Sequence, residues 1–63
     1  MVNGESRAVS EGTTLAGLLA QLGLDPRAVV VEHNRRIVRR DALGEIRVAG
    51  GDEVELIHFV GGG

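Results

Sequence analysis

The residues best suited to chemistry stand at the C-terminal end of the chain, which closes on Gly61, Gly62 and Gly63. Glycine has no Cβ and loses much conformational freedom on ordering, so such a run is expected to be flexible. Three extended residues reach about 10 Å, and so thin a thread could enter a channel that bulkier residues would block. The pattern therefore favours delivery of the Gly63 carboxylate into another protein, although a frayed terminus would have the same composition.

Composition limits the other chemistry that the chain could perform. The 63 residues include no cysteine, which excludes disulfides, zinc–thiolate sites, iron–sulfur clusters and a nucleophilic thiol. A domain of this size buries only about 60% of the surface of its unfolded chain, which leaves little room for an enclosed active site. His33 and His58 are the two histidines, and their spacing matches no metal-ligand motif. We expect no bound metal or cofactor, and a protein that is not itself an enzyme.

A hairpin is predicted at the start of the chain. Asn3-Gly4 is a strong signal for a two-residue turn in which both residues take positive φ. The turn would join a second strand over residues 5–10 to a first strand of which only Met1 and Val2 are present. This first strand looks truncated, and we therefore expect the free domain to be marginally stable.

One amphipathic helix follows the hairpin. Four leucines spaced i, i+3, i+4 and i+7 form a single apolar stripe: Leu15, Leu18, Leu19 and Leu22. Thr13 or Thr14 can cap the helix with a side-chain oxygen. Gly23 is expected to end the helix in a left-handed conformation, with Leu24 packed back against it.

The remaining elements are predicted to be strands. Residues 29–33 are rich in β-branched side chains, a turn at 34–36 leads to a short strand at 37–39, and the last strand covers 53–60. Leu43, in the intervening turn, is expected to fill the core. This order predicts an α+β fold of the ubiquitin-like β-grasp type, a mixed sheet covered by one main helix with the first and last strands side by side in parallel. The domain would occupy residues 1–60 and the flexible tail residues 61–63.

Alternation along the last strand separates a core face from an exposed face. Val54 and Leu56 are expected to face the helix, whereas Ile57 and Phe59 lie on the opposite face, close to the tail. An exposed apolar pair beside a mobile end is typical of a docking surface. Ordinary packing of Phe59 over the sheet edge is the alternative.

Taken together, these motifs resemble the ThiS family, the sulfur-carrier proteins of thiamine biosynthesis. The matching pieces are Asn3-Gly4-Glu5, Gly12-Thr13-Thr14-Leu15, Leu18-Leu19, Leu22-Gly23-Leu24, Val29-Val30-Val31-Glu32, Asn34, Ile37-Val38, Gly51-Asp52-Glu53-Val54-Glu55, Val60 and Gly62-Gly63. The diglycine end and the acidic turn before the last strand are the specific parts, while the leucine helix is generic.

The resemblance implies a carrier cycle. A ubiquitin-activating-type adenylyltransferase would use ATP to convert the Gly63 carboxylate into an acyl-adenylate. Sulfur from a cysteine desulfurase route, presented as a persulfide, would displace AMP and leave a thiocarboxylate on Gly63. Thiazole synthase would then take that sulfur. The chain lacks lysine and a phosphate-binding loop, so ATP is expected to bind the partner.

Other sulfur acceptors stay open at this point. The small subunit of molybdopterin synthase has the same fold and diglycine end, although members of that group tend to be longer. Carriers that serve cysteine biosynthesis or transfer-RNA thiolation, and conjugation to protein lysines, are further alternatives. A β-grasp binding module that carries no sulfur is the rival from a different class.

Arginines cluster around the hairpin of the middle strands, at residues 35, 36, 39 and 40. Arg35 and Arg36 could meet an acidic patch on the activating enzyme. Binding of nucleic acid is the competing interpretation, but the formal net charge is −2 and Phe59 is the single aromatic residue, so no stacking platform is present. We expect no nucleic-acid partner.

The segment at the start of the chain lacks the basic and apolar regions of a signal peptide. No apolar run approaches the roughly 18 residues of a membrane span. The sequence thus predicts a cytoplasmic protein without a membrane partner, monomeric when free.

Overall fold

The computed structural model describes residues 1–58, and its regular elements are few and short. Helix α1 spans Leu15–Gln21, and strands β1, β2 and β3 span Val29–His33, Arg36–Val38 and Val54–His58. A single 3₁₀ turn, Arg40–Ala42, lies between β2 and β3. The three strands form one antiparallel sheet in the order β2-β1-β3.

Helix α1 begins and ends as its sequence predicts. The Thr14 hydroxyl accepts a hydrogen bond from the Gly17 N–H at 3.1 Å and so caps the first turn. At the other end Gly23 has φ of +70°, and the Leu24 N–H reaches back to the Leu19 carbonyl at 2.9 Å. This glycine-centred ending satisfies carbonyls of the last turn.

The core lies between α1 and one face of the sheet. Its members are the apolar side chains with the smallest exposure: Val2, Leu15, Leu18, Leu19, Val29, Val31, Leu43, Val54 and Leu56. Leu43 fills the core from the turn after β2, and Val54 and Leu56 face the helix, as predicted. Burial of these side chains supplies most of the folding free energy.

The predicted turn at the start of the chain is confirmed. Asn3 and Gly4 have φ of 49° and 79°, the pattern of a type I′ turn. Val2 then makes an antiparallel bridge to Glu5 and a parallel bridge to Val54. The first residues of the chain therefore lie beside β3 in the parallel direction, as predicted, and this isolated bridge adds one parallel pairing to the antiparallel sheet.

The prediction of a second strand over residues 5–10 is wrong, except that Glu5 forms a β-bridge. Val2 is its bridging partner, whereas residues 6–10 have no opposing backbone among the described residues, and a strand needs one. A cleft of about 590 Å³ lies beside this segment, lined in part by Val9 and Val48.

The return strand is displaced by one residue from its predicted position at 37–39. Asn34 and Arg35 both have positive φ, 50° and 71°, so the turn is complete after two residues and β2 begins at Arg36. The end predicted for the last strand, residues 59 and 60, lies outside the described residues.

Candidate functional site

The strand that leads toward the glycine tail, β3, is held on one side by the first residues of the chain. The Val54 N–H donates to the Met1 carbonyl at 2.8 Å, and the Asn3 N–H donates to the Val54 carbonyl at 2.9 Å. The Met1 ammonium group also donates to the Asp52 carbonyl at 2.8 Å. These bonds fix the start of β3 against the N-terminal turn.

The next bond of this ladder comes from a side chain. The Leu56 N–H donates to Asn3 Oδ1 at 2.7 Å, whereas a backbone carbonyl would accept it in a regular parallel pair. Since the chain turns away at Asn3 and Gly4, the amide of Asn3 extends the pairing by one step. The same residue therefore forms the turn and satisfies β3.

On its other side, β3 pairs with β1 from Val29 opposite His58 to His33 opposite Val54. Beyond this ladder, Asn34 adds two bonds to Glu53. The Asn34 N–H donates to the Glu53 carbonyl at 2.8 Å, and the Glu53 N–H donates to Asn34 Oδ1 at 2.9 Å. The acidic turn and Asn34, two separate pieces of the sequence pattern, are thus in direct contact.

Asp52 is the centre of this contact. One carboxylate oxygen, Oδ2, accepts from the Ala49 N–H at 2.9 Å and lies 2.7 Å from His33 Nε2. The other, Oδ1, accepts from Asn34 Nδ2 at 3.2 Å. The bond from Ala49, followed by those from His33 and Asn34, lowers the pKa of Asp52 to about 2 because each favours the charged carboxylate. Asp52 therefore joins the turn between β1 and β2 to the loop before β3.

The sheet face opposite the helix, here called the outer face, carries two cross-strand pairs. Val30 lies directly opposite Ile57, and Glu32 lies directly opposite Glu55. Ile37 on β2 is the other neighbour of Glu32. Ile57 and Ile37 are 47% and 73% exposed, so the outer face presents apolar side chains on both sides of a pair of carboxylates.

The arginine-rich segment, residues 34–40, forms the turn and edge strand next to β1, and is here called the arginine hairpin. Arg36 lies opposite His33, at the turn end of the sheet. Arg35 occupies the second position of the turn with φ of 71°. Both arginines are exposed.

The predicted docking residues occupy different parts of this surface. Ile57 lies opposite Val30, near the end of β1 remote from the turn, whereas Arg35 and Arg36 lie at the turn itself. The Glu32–Glu55 pair separates them, so the structure does not bring Ile57 and the arginines together. Phe59, Gly61, Gly62 and Gly63 lie outside the described residues.

Sequence reasoning missed the side chains that anchor β3. Asn3, Asn34 and Asp52 were each recognised as turn or motif residues, but none was assigned a bond to the last strand. The sequence signal that could have revealed these bonds is the recurrence of amide and carboxylate residues at the three turns nearest to β3.

The described residues lack two features that alternative functions would need. Among residues 1–58, no group of three histidine, cysteine, aspartate or glutamate side chains could hold a metal ion. In the same range, no helix has the length and apolar character needed to cross a membrane.

The chain is similar to known proteins over its whole length. The model of the ThiS family matches residues 1–63. The chain is 38% identical over 50 residues to the sulfur carrier protein ThiS of Bacillus subtilis, covering 79% of this chain and 76% of that protein. The crystal structure of the thiamine biosynthesis protein ThiS from Geobacter metallireducens superposes with a TM-score of 0.84 at 35% identity, covering 98% of this chain and 94% of that chain.

Two larger relatives contain a similar segment. The chain is 44% identical over 62 residues to a thiazole synthase of Magnetococcus marinus and 41% identical over 63 residues to a thiazole synthase of Paramagnetospirillum magneticum. These matches cover 98% and 100% of the chain but 19% of each relative. The chain thus spans about a fifth of the length of these proteins.

Proposed function

Because the chain belongs to the ThiS family, we propose that it is a sulfur carrier of thiamine biosynthesis that works through the carboxylate of Gly63. The observation that carries this proposal is the family match over residues 1–63, which includes the terminal glycines. The two-sided anchoring of β3 supports it, since a fixed strand gives the following residues a defined point of departure.

The proposed cycle begins with activation of the carboxylate. One oxygen of the Gly63 carboxylate attacks the α-phosphorus of ATP bound to a ubiquitin-activating-type adenylyltransferase, and pyrophosphate leaves. The product is an acyl-adenylate, in which AMP is a far better leaving group than the oxygen of a free carboxylate. The chain is thus a co-substrate, and the catalytic groups belong to the partner.

Sulfur then replaces the adenylate. A persulfide supplied by a cysteine desulfurase route attacks the acyl carbon through its terminal sulfur, and AMP leaves. A partner thiol attacks the other sulfur of this acyl disulfide, so that a disulfide forms on the partner and the thiocarboxylate stays on Gly63. With no cysteine in the chain, the C-terminal carbonyl is its one site for covalent sulfur.

Thiazole synthase is the proposed acceptor of the sulfur. Both larger relatives are thiazole synthases, and each contains a segment similar to this chain over nearly its whole length. A carrier and an acceptor joined in one protein would meet at high effective concentration. These relatives therefore favour sulfur delivery from this chain to a separate thiazole synthase over delivery to molybdopterin synthase.

Ile57 is the described residue proposed to dock against a partner close to the tail. It is 47% exposed on the outer face, two residues before Phe59, which is the second proposed contact. Ile57→Ser is expected to raise the KM of the adenylyltransferase for this carrier about tenfold, because apolar contacts dominate interface energies, and to leave kcat unchanged. A wild-type KM for this variant would remove Ile57 from the proposal.

Intact mass measurement tests the carrier function. The chain is incubated with a cognate adenylyltransferase, ATP, a desulfurase and cysteine, beside a variant that lacks Gly63. A mass gain equal to replacement of one oxygen by sulfur, absent from the shortened variant, is expected. No gain with enzymes that charge another carrier would contradict the proposal, and addition of thiazole synthase should discharge the sulfur.

A further inference from the structure

Positive charge in this protein is concentrated in the arginine hairpin. Residues 34–40 contain four of the seven basic residues and no carboxylate, whereas the rest of the chain carries three arginines and nine acidic side chains. A local positive field on a protein of net charge −2 is suited to orient the molecule toward a negatively charged surface.

One of these arginines is already paired with a carboxylate of the chain. Arg39 Nε lies 3.7 Å from Asp41 Oδ1 in an exposed pair. Within residues 1–58, no carboxylate lies within 4 Å of the guanidinium groups of Arg35 or Arg36. The same holds for Arg40, and Arg35 and Arg36 are the two of these cations that lie side by side at the turn.

An exposed apolar side chain follows the two arginines of the turn on the edge strand. Ile37 is 73% exposed, the largest exposed fraction among the large apolar side chains described. It lies on edge strand β2, directly opposite Glu32, and follows Arg36 in the sequence. An exposed isoleucine surrounded by charged groups has the arrangement of an interface anchor with a polar rim.

The backbone of the hairpin gives a third and independent observation. Arg35 has φ of 71°, a left-handed conformation that costs a residue with a Cβ about 1–2 kcal/mol. Glycine would adopt this conformation without strain and is the residue that such turns favour at this position. A strained arginine at a position where glycine fits better is accounted for when the side chain has a role outside the fold.

From these observations we propose that the arginine hairpin is a docking element, in which Arg35 and Arg36 pair with carboxylates on a partner protein and Ile37 packs against an apolar surface of the same partner beside the edge strand. The proposal rests on the proposed function in one respect, that the partner to be tested is the adenylyltransferase. A protein is favoured over nucleic acid because Ile37 has no counterpart to meet on a phosphate backbone and the chain has a single aromatic residue.

The experiment measures the dissociation constant of the complete carrier with the adenylyltransferase in the absence of ATP, so that binding is separated from sulfur transfer. Arg35→Gly and Arg36→Ser are each expected to weaken binding about threefold at about 0.05 M salt, and Ile37→Ser about tenfold. The arginine effects should shrink at about 0.5 M salt because the charges are screened. Arg47→Ser, which removes an exposed arginine outside the hairpin, is the matched control and should bind as the wild type does.

Arg35→Gly separates a docking role from a structural one. Because it relieves the positive φ, this variant should melt about 2–6 °C above the wild type and yet bind more weakly. A purely structural arginine would give weaker binding only together with a less stable fold. Wild-type affinity in Arg35→Gly and Ile37→Ser would overturn the proposal, even if the mass experiment shows sulfur loading.

The remaining outcomes also decide the question. Absence of wild-type binding would overturn the docking proposal, whatever the mass experiment gives. Arginine-dependent binding without any mass gain would support docking while contradicting sulfur transfer. If the hairpin variants bind the enzyme normally but lose binding of a poly(U) RNA about 20 nucleotides long, the hairpin is a nucleic-acid site and the proposal is wrong.

Discussion

Asn3 performs two functions at one position. Its φ of 49° belongs to the type I′ turn, and its Oδ1 accepts the Leu56 N–H at 2.7 Å. Asparagine tolerates the left-handed conformation better than most residues with a side chain, and it also supplies the carbonyl group that the departing backbone cannot. A glycine could replace it in the first function but not in the second.

This division predicts a difference between two variants. Asn3→Gly should lower the free energy of unfolding by about 1–2 kcal/mol, because the Leu56 N–H loses its acceptor in a partly buried position. Asn3→Asp keeps an acceptor oxygen and should cost less than about 0.5 kcal/mol. Urea unfolding of both proteins measures the difference, and equal stability of the two variants would contradict the assigned bond.

At the scale of single residues, the sequence predicts turns and caps formed by neighbouring residues, but it does not predict hydrogen bonds between residues far apart in the chain. The turn at Asn3-Gly4, the Thr14 cap and the Gly23 helix end all follow from residues within a few positions of each other. The bond from Leu56 to Asn3 joins positions 53 apart in the sequence, and no local pattern encodes it. The positive φ of Arg35 was missed because arginine carries none of the turn preference of glycine.

Among the elements, the pairing of β1 with β3 places two negative charges directly opposite each other, Glu32 and Glu55. Like charges at opposed positions destabilise a sheet. Glu55→Gln should therefore raise the free energy of unfolding by about 0.2–1 kcal/mol at neutral pH and low salt. Glu53→Gln, at an exposed residue just before β3, is the control. Equal effects of the two substitutions in urea unfolding would show that the opposed pair carries no repulsion.

The link between the β1–β2 turn and the loop before β3 depends on the charge of Asp52. Its pKa is lowered from 3.8 to about 2 in the folded protein, so the unfolded chain binds this proton more readily. The stabilisation is complete above about pH 4 and is lost as the pH falls toward about 2. The free energy of unfolding should fall less steeply over this interval in Asp52→Asn than in the wild type. Asp41→Asn, which alters a 77% exposed side chain, should retain the wild-type slope.

Element types were predicted more reliably than their limits. The leucine spacing of α1 and the β-branched run of β1 each define an element by their own periodicity. Residues 5–10 carry a plausible strand sequence, yet a strand needs an opposing backbone, and the pairing stops at Glu5. The register that sets Glu32 against Glu55 likewise depends on three-dimensional pairing.

For the whole molecule, the thin core predicts low stability. Among residues 1–58, the core consists of nine buried apolar side chains, three of them on a helix of seven residues. Natural domains have free energies of unfolding of about 5–15 kcal/mol. We expect about 5 kcal/mol or less for the free chain, measured by urea unfolding. A value near 10 kcal/mol would contradict this expectation, whereas a rise on addition of the adenylyltransferase is consistent with it.

The parallel placement of Met1–Asn3 beside β3 has a mechanical consequence. A partner that draws the C-terminal end into a channel pulls along the axis of β3, roughly perpendicular to its hydrogen bonds on both sides. The hydrogen bonds that join Val54 and Leu56 to Met1–Asn3 are then loaded in shear at the same time. Hydrogen bonds pulled from one end of a strand would instead break one after another. The domain should therefore resist extraction by its tail better than peeling from the edge strand β2, and single-molecule pulling along these two directions would compare the rupture forces.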